Sequence, residues 1–142
     1  NLDLKSKTKD DVINEIATVF LETGIVDDLD GYIGEIKNRE GLSSTALEEG
    51  IAIPHASISE NVYKTGVSLL IVKEKIYFPN GKGANIFLSF AAKNKNEYEI
   101  ILKDLFELIT KYNFIEEISN IKNYTELEKY FERSKYAVGK YR

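Results

Sequence analysis

The sequence predicts an α/β layer fold in a single domain spanning residues 1–142. Three observations predict it. The chain opens with two runs at helical period. Its middle holds strand-like runs rich in β-branched and aromatic residues. Helical period then returns from residue 96. The longer strand runs are apolar on both parities, as expected in the middle of a sheet covered on both faces. No internal repeat, low-complexity tract or linker breaks the order helix, helix, strands, helix, helix.

Residues 8–23, "TKDDVINEIATVFLET", read as the first helix. Thr8 caps it, with Asp11 three residues on in a capping-box arrangement. Val12, Ile13, Ile16, Val19 and Phe20 make one apolar face, and Gly24 supplies a left-handed stop. A second helix is expected from Asp28 to Glu40, with Leu29, Tyr32, Ile33 and Ile36 inward and Gly41 ending it. Gly31 and Gly34 weaken its helix propensity. "GIAIP" (50–54) is too short for a helix and reads as a brief apolar strand. "GVSLLIVKEKIYF" (66–78) and "ANIFLSFAA" (84–92) are the longer strands, joined by the turn chemistry of "PNGKG". Residues 96–112 form a helix whose stripe is Ile101, Leu102, Leu105, Leu108, Ile109 and Tyr112. "FIEEISNI" reads as a short helix. "TELEKYFERS" follows with a second capping box, Thr125 and Glu128.

Composition removes several function classes. Nineteen basic and 23 acidic side chains give a net charge of −4, which argues against binding nucleic acid through a general positive field. With no cysteine, disulfides and thiolate metal sites are excluded, and the reducing cytoplasm is the expected location. No apolar run approaches the ~20 residues that span a bilayer, and no signal peptide is visible. Methionine is absent, so the natural start is not represented; a trimmed chain or a piece of a longer polypeptide is expected. No phosphate-cradling P-loop occurs, since "NGKG" is a turn. With one histidine, a zinc site would need carboxylates almost alone. None of the serines sits in a nucleophile elbow.

The single histidine, His55, follows Pro54 at the end of "GIAIPHA". As an isolated feature it reads equally as an inert, partly buried ring. Its neighbours favour chemistry. Pro54 has a fixed φ and no N–H, so it aims the next residue rigidly. Gly50, Ala52 and Ala56 are small, which leaves room for a large partner to approach. Upstream, "NREGLSSTALEEG" brings Arg39 and the hydroxyls of Ser43, Ser44 and Thr45. An arginine fork and hydroxyl donors suit a phosphoryl group beside a nucleophilic imidazole.

"NREGLSSTALEEGIAIPHA" resembles the active-site signature of the fructose/mannitol-type enzyme IIA domains of the bacterial phosphoenolpyruvate-dependent sugar phosphotransferase system. The likeness continues through "FPNGKGANIFLSFAAKNKNEYEIILKDL" and runs from about Leu4 to Phe131. The resemblance implies a mixed β-sheet with helices packed on both faces. It implies a phosphocarrier, in which His55 accepts a phosphoryl group from the carrier protein HPr and passes it to an enzyme IIB domain. Carried over by position, Arg39 neutralises charge on the transferring group, and Thr45 or Ser44 orients the histidine or the phosphate. Transfer of this kind needs in-line positioning and cationic donors, with no metal or organic cofactor. Neither nucleic-acid contact nor membrane insertion by the domain itself is implied.

One departure stands out. The family's second histidine aligns with Tyr98, whose hydroxyl stays protonated near neutral pH. Tyr98 reads either as a helix-face aromatic filling space or as a weakened phosphate contact near His55. Its substitution should spare acceptance at His55 more than onward donation. It therefore raises an alternative, a regulatory IIA-like module of a transcription activator or antiterminator, phosphorylated as a signal through fused regulatory domains. A degenerate partner-binding domain is the third reading, opposed by the retained Arg39 and His55.

Overall fold

The computed structural model describes residues 8–47, 50–57 and 61–111, with 116, 117, 120, 125, 126 and 129 beyond them. Helix α1 spans Lys9–Glu22, started by the expected reciprocal cap between Thr8 and Asp11. Its face of Val12, Ile13, Ile16, Ala17 and Phe20 is buried, with Val19 at the margin. Gly24, at φ 75°, turns the chain out of it, a conformation that costs a residue with a Cβ.

Helix α2 spans Leu29–Leu42 and is capped by Asp28, whose carboxylate accepts from Gly31 N at 3.0 Å. Tyr32 and Ile36 are buried, and Leu29 and Ile33 pack at the edge of the same cluster. The expected stop at Gly41 is not where the helix ends. Gly41 is absent from the positive-φ glycines, and extended Ser43 (φ −165°, ψ 150°) terminates the helix after Leu42.

Three described strands form a mixed sheet in the order β1-β3-β2, with β1 Gly50–Ala52, β2 Gly66–Tyr77 and β3 Gly83–Ala91. β1 runs parallel to β3, and β2 runs antiparallel to it through the turn at Asn80 and Gly81. β3 occupies the predicted central position. Among the described residues β2 has β3 as its one neighbour, and its two parities differ from the expected cover on both faces. Ser68, Leu70, Val72 and Ile76 are buried, whereas on the other parity Leu69 is buried, Val67 and Ile71 are half-buried and Lys75 and Tyr77 are exposed. Leu70 and Val72 join α1 and α2 on one side, while Leu69 faces α3 on the other.

Helix α3 spans Lys95–Lys111, with Asn94 accepting from Glu97 N at 2.9 Å at its start. Ile101, Leu105, Leu108 and Ile109 pack on Ile51, Ile86, Leu88 and Phe90. The sheet is therefore clad by α1 and α2 on one face and by α3 on the other, as expected. Tyr112, most of the short helix expected at 114–121 and most of the run from Thr125, including Glu128 of its expected capping box, lie outside the described residues. No helix of the described residues is long and apolar enough to cross a membrane.

Candidate active site

The site forms where β1 ends. Ile53 and Pro54 lead the chain out of the sheet, and His55 lands beneath the first turns of α3. Its ring is only 3% exposed. It stacks on Phe90 of β3, with centroids 4.6 Å apart and planes at 21°. Tyr98 of α3 packs against both rings, its centroid 5.8 Å from that of His55 at a 51° tilt and 5.4 Å from that of Phe90.

Both ring nitrogens are engaged. Nδ1 lies 2.7 Å from the Ile53 carbonyl oxygen. A carbonyl only accepts, so Nδ1 carries the hydrogen and donates it. In the neutral ring this leaves the lone pair on Nε2, which accepts from the Tyr98 hydroxyl at 3.0 Å. Burial lowers the His55 pKa below its ordinary 6.5. The bond to Ile53 opposes that shift, the Arg39 charge adds to it and the Glu40 charge opposes it. The net direction favours the neutral, nucleophilic ring.

Backbone around the histidine is fixed on several sides. Fully buried Ser89 of β3 donates its hydroxyl to the Pro54 carbonyl. Residues 45–47 run back alongside β1, with Ile53 N donating to Thr45 O (3.1 Å), Leu47 N to Ile51 O (3.1 Å), and an antiparallel bridge from Ala46 to Ala52. Thr45 is clamped in turn by buried Glu40 of α2. The carboxylate accepts from Thr45 N at 2.9 Å and from Thr45 Oγ1 at 2.7 Å. Ser44 Oγ accepts from Ala46 N at 3.2 Å. Asn80 Nδ2, from the β2–β3 turn, donates to Ala46 O at 3.3 Å.

These contacts revise several expectations. The hydroxyls of Thr45 and Ser44 were expected on the histidine or the phosphate. Thr45 donates its hydroxyl to a carboxylate and Ser44 accepts from a backbone amide, contacts that lead to His55 through β1. Gly50, Ala52 and Ala56 do not open an approach route; all three are buried. Ala52 sits in register with Phe87, where small size is a packing requirement. Arg39 lies on the last turn of α2, half-buried, and donates from Nη1 to Ser43 O at 3.1 Å; its influence on His55 is through charge. Tyr98 packs its ring on the α3-side core, as the space-filling reading expects, and places its hydroxyl on Nε2 of His55.

Ser89 and Phe90 were not singled out from sequence, and Glu40 stood there only as the neighbour of Arg39 in the signature, with no role of its own. A serine inside the apolar run "IFLSFAA" was the available signal, because a buried hydroxyl needs a partner. Among the described residues, no group of three or more His, Cys, Asp or Glu could hold a metal ion.

Fold and site define a class, a small α/β domain built around one buried imidazole with a nucleophilic nitrogen. Residues 1–134 match the family described as "Phosphoenolpyruvate-dependent sugar phosphotransferase system, EIIA 2", and the chain belongs to that family. It is 49% identical over 55 residues to the "PTS system fructose-specific EIIABC component" of Bacillus subtilis (strain 168), covering 39% of this chain and 9% of that protein. It is 28% identical to the "Mannitol-specific phosphotransferase enzyme IIA component" of Geobacillus stearothermophilus, over 72% of this chain and 70% of that one. A similar solved structure is the IIA–phosphorylated IIB mannitol complex from Escherichia coli. It has a TM-score of 0.76 and 25% identity, covering 91% of this chain and 92% of that one. The chain thus spans well under two thirds of the fructose-specific relative.

Proposed function

We propose that this chain is a phosphohistidine carrier that takes a phosphoryl group from phospho-HPr onto Nε2 of His55 and hands it to an enzyme IIB domain. The observation that carries this reading is the Nδ1–H bond to the Ile53 carbonyl, which leaves the Nε2 lone pair as nucleophile. In the transfer, Nε2 bonds to phosphorus as the donor's N–P bond breaks, and the electron pair of that bond returns to the donor imidazole. No proton has to move at His55. Nδ1 keeps its hydrogen, and the Ile53 carbonyl faces the positive charge that develops on the ring.

Protein groups supply positioning and charge, which is most of what a loose phosphoryl-transfer transition state requires. Arg39 would neutralise the equatorial oxygens. Tyr98 must yield its contact with Nε2 as phosphorus arrives, and its hydroxyl can then donate to a phosphoryl oxygen. Thr45 and Ser44 act by holding β1. Onward transfer to a IIB domain is supported by the mannitol relative, whose IIA domain was solved in complex with phosphorylated IIB. The cytoplasm, where such donors are found, is the location this reading gives.

Incubation with phosphoenolpyruvate, enzyme I and HPr is expected to label the chain once, with an acid-labile, base-stable phosphate absent from His55→Ala. A labelled His55→Ala would overturn the assignment. Tyr98 is the observation that favours the second reading, a regulatory module, because a tyrosine cannot offer the cationic ring of a second histidine. Phosphate accepted and never passed to a purified IIB domain would decide for that module.

A further inference from the structure

We propose that Glu40 is a positioning residue for phosphoryl transfer, holding His55 in its Nδ1–H tautomer by clamping Thr45 and, through it, the Ile53 peptide. The proposal rests on the reading of His55 as the phosphoryl acceptor. A continuous series of contacts carries it. Glu40 accepts from both the amide and the hydroxyl of Thr45. The Thr45 carbonyl accepts from Ile53 N, and the Ile53 carbonyl accepts from His55 Nδ1. Each contact fixes the residue that makes the next, from the last turn of α2 to the imidazole.

The clamp is built at a place where a carboxylate is costly. Glu40 is buried, and a charge taken from water must be compensated by hydrogen bonds. Two donors from one threonine do this, and in return the two-point grip fixes both the backbone and the side chain of Thr45. The neighbouring supports do not duplicate it. Ser44 and Asn80 hold Ala46, one residue further on. Glu40 alone, among the described contacts, grips the residue whose carbonyl receives Ile53.

The tautomer is the property at stake. If the Ile53 carbonyl drifts, Nδ1 loses its acceptor, and the hydrogen can move to Nε2. A ring protonated there has its lone pair on Nδ1, turned toward the Ile53 carbonyl, and none on Nε2 for phosphorus. Glutamine at this position can accept from the Thr45 amide with its carbonyl and donate its amide hydrogen to the Thr45 hydroxyl oxygen. It keeps the grip and removes the charge, which separates positioning from electrostatics.

Because His55 is the sole histidine, its imidazole nitrogens give one unambiguous set of ¹⁵N resonances. The experiment records these on the whole chain at pH 8, together with uptake of labelled phosphate from phospho-HPr. Wild type and Glu40→Gln are expected to show the Nδ1–H tautomer, with uptake rates within about threefold of each other. Glu40→Ala is expected to show mixed tautomers and uptake slowed about tenfold or more. Thr45→Val, which removes the hydroxyl arm alone, should show a smaller change in the same direction. It serves as the deciding variant if Glu40→Ala does not fold. The wild-type tautomer retained in whichever of these two variants decides would overturn the proposal. So would Glu40→Gln losing uptake with its tautomer intact. An unlabelled wild type that nonetheless responds in tautomer would strike the carrier reading and leave the positioning effect standing.

Discussion

The proposed carrier role needs a neutral His55, and burial of the ring, with a carbonyl facing Nδ1, favours that form. The same burial couples the ring to stability. Unfolded, the imidazole titrates near 6.5, and folded it titrates lower. Between those values the unfolded chain binds more protons. Stability linked to His55 is therefore complete above about 6.5 and declines as pH falls toward the lowered folded value. Urea midpoints measured across this window should fall more steeply for wild type than for His55→Gln; equal slopes would contradict the burial argument. Arg39 permits a second test at this scale. Arg39→Lys keeps the charge and loses the planar fork, so phosphate uptake should slow by about tenfold in a rapid-quench assay. An unchanged rate would reduce Arg39 to the helix-end residue that donates to Ser43.

At the scale of elements, α2 delivers both Arg39 and Glu40 to the site, and its ends decide where they stand. Its start depends on Asp28 accepting from Gly31 N. A Cβ on Gly31 would run into that carboxylate, whereas one on Gly34 would meet nothing within 4 Å. Gly34→Ala should stabilise the protein by up to about 1 kcal/mol, through helix propensity and reduced freedom of the unfolded chain. Gly31→Ala should destabilise it by about 1 kcal/mol as the cap is lost, despite the same gain in propensity. Thermal unfolding of the pair checks the opposite signs. Much of this element was legible in the sequence: Asp28, Tyr32 and Ile36 fall where the periodicity put them. Its C-terminus was not. Gly41 looks like a stop, but helix or stop is settled by the backbone of Ser43 and by the pull of Glu40 on Thr45, five residues away along the chain.

Across the whole molecule, β3 is the shared wall. Ile86, Leu88 and Phe90 face α3, while Phe87 and Ala91 face α1 and α2. The site lies at the α3-side end of this wall, so Phe90 is both core and the surface on which His55 stacks. Fully buried Leu105 on α3 tests the coupling. Leu105→Ala should cost about 2–5 kcal/mol. Because the two clusters share β3, urea unfolding should remain a single transition at a lower midpoint, with fluorescence and circular dichroism coincident. Separate transitions for the two probes would show that the faces unfold independently.

The sequence by itself determined the layer architecture, the cap of α1, the start of α2 near Asp28, the burial of β3 on both faces and the candidacy of His55 and Arg39. These depend on periodicity, on local hydrogen bonds within three or four residues, and on a motif contiguous in the chain. Only the tertiary structure decided the rest. Tyr98 meets His55 from 43 residues away, and Ser89 reaches Pro54 from 35. Glu40 is drawn under Thr45, and the Ile53 carbonyl, a group every residue possesses, selects the tautomer. Residue type can flag a group that needs a partner, as Ser89 does in its apolar run, but it does not name the partner, because what fixes these contacts is the register in which β1 lies against β3 and the side of the sheet on which α3 packs.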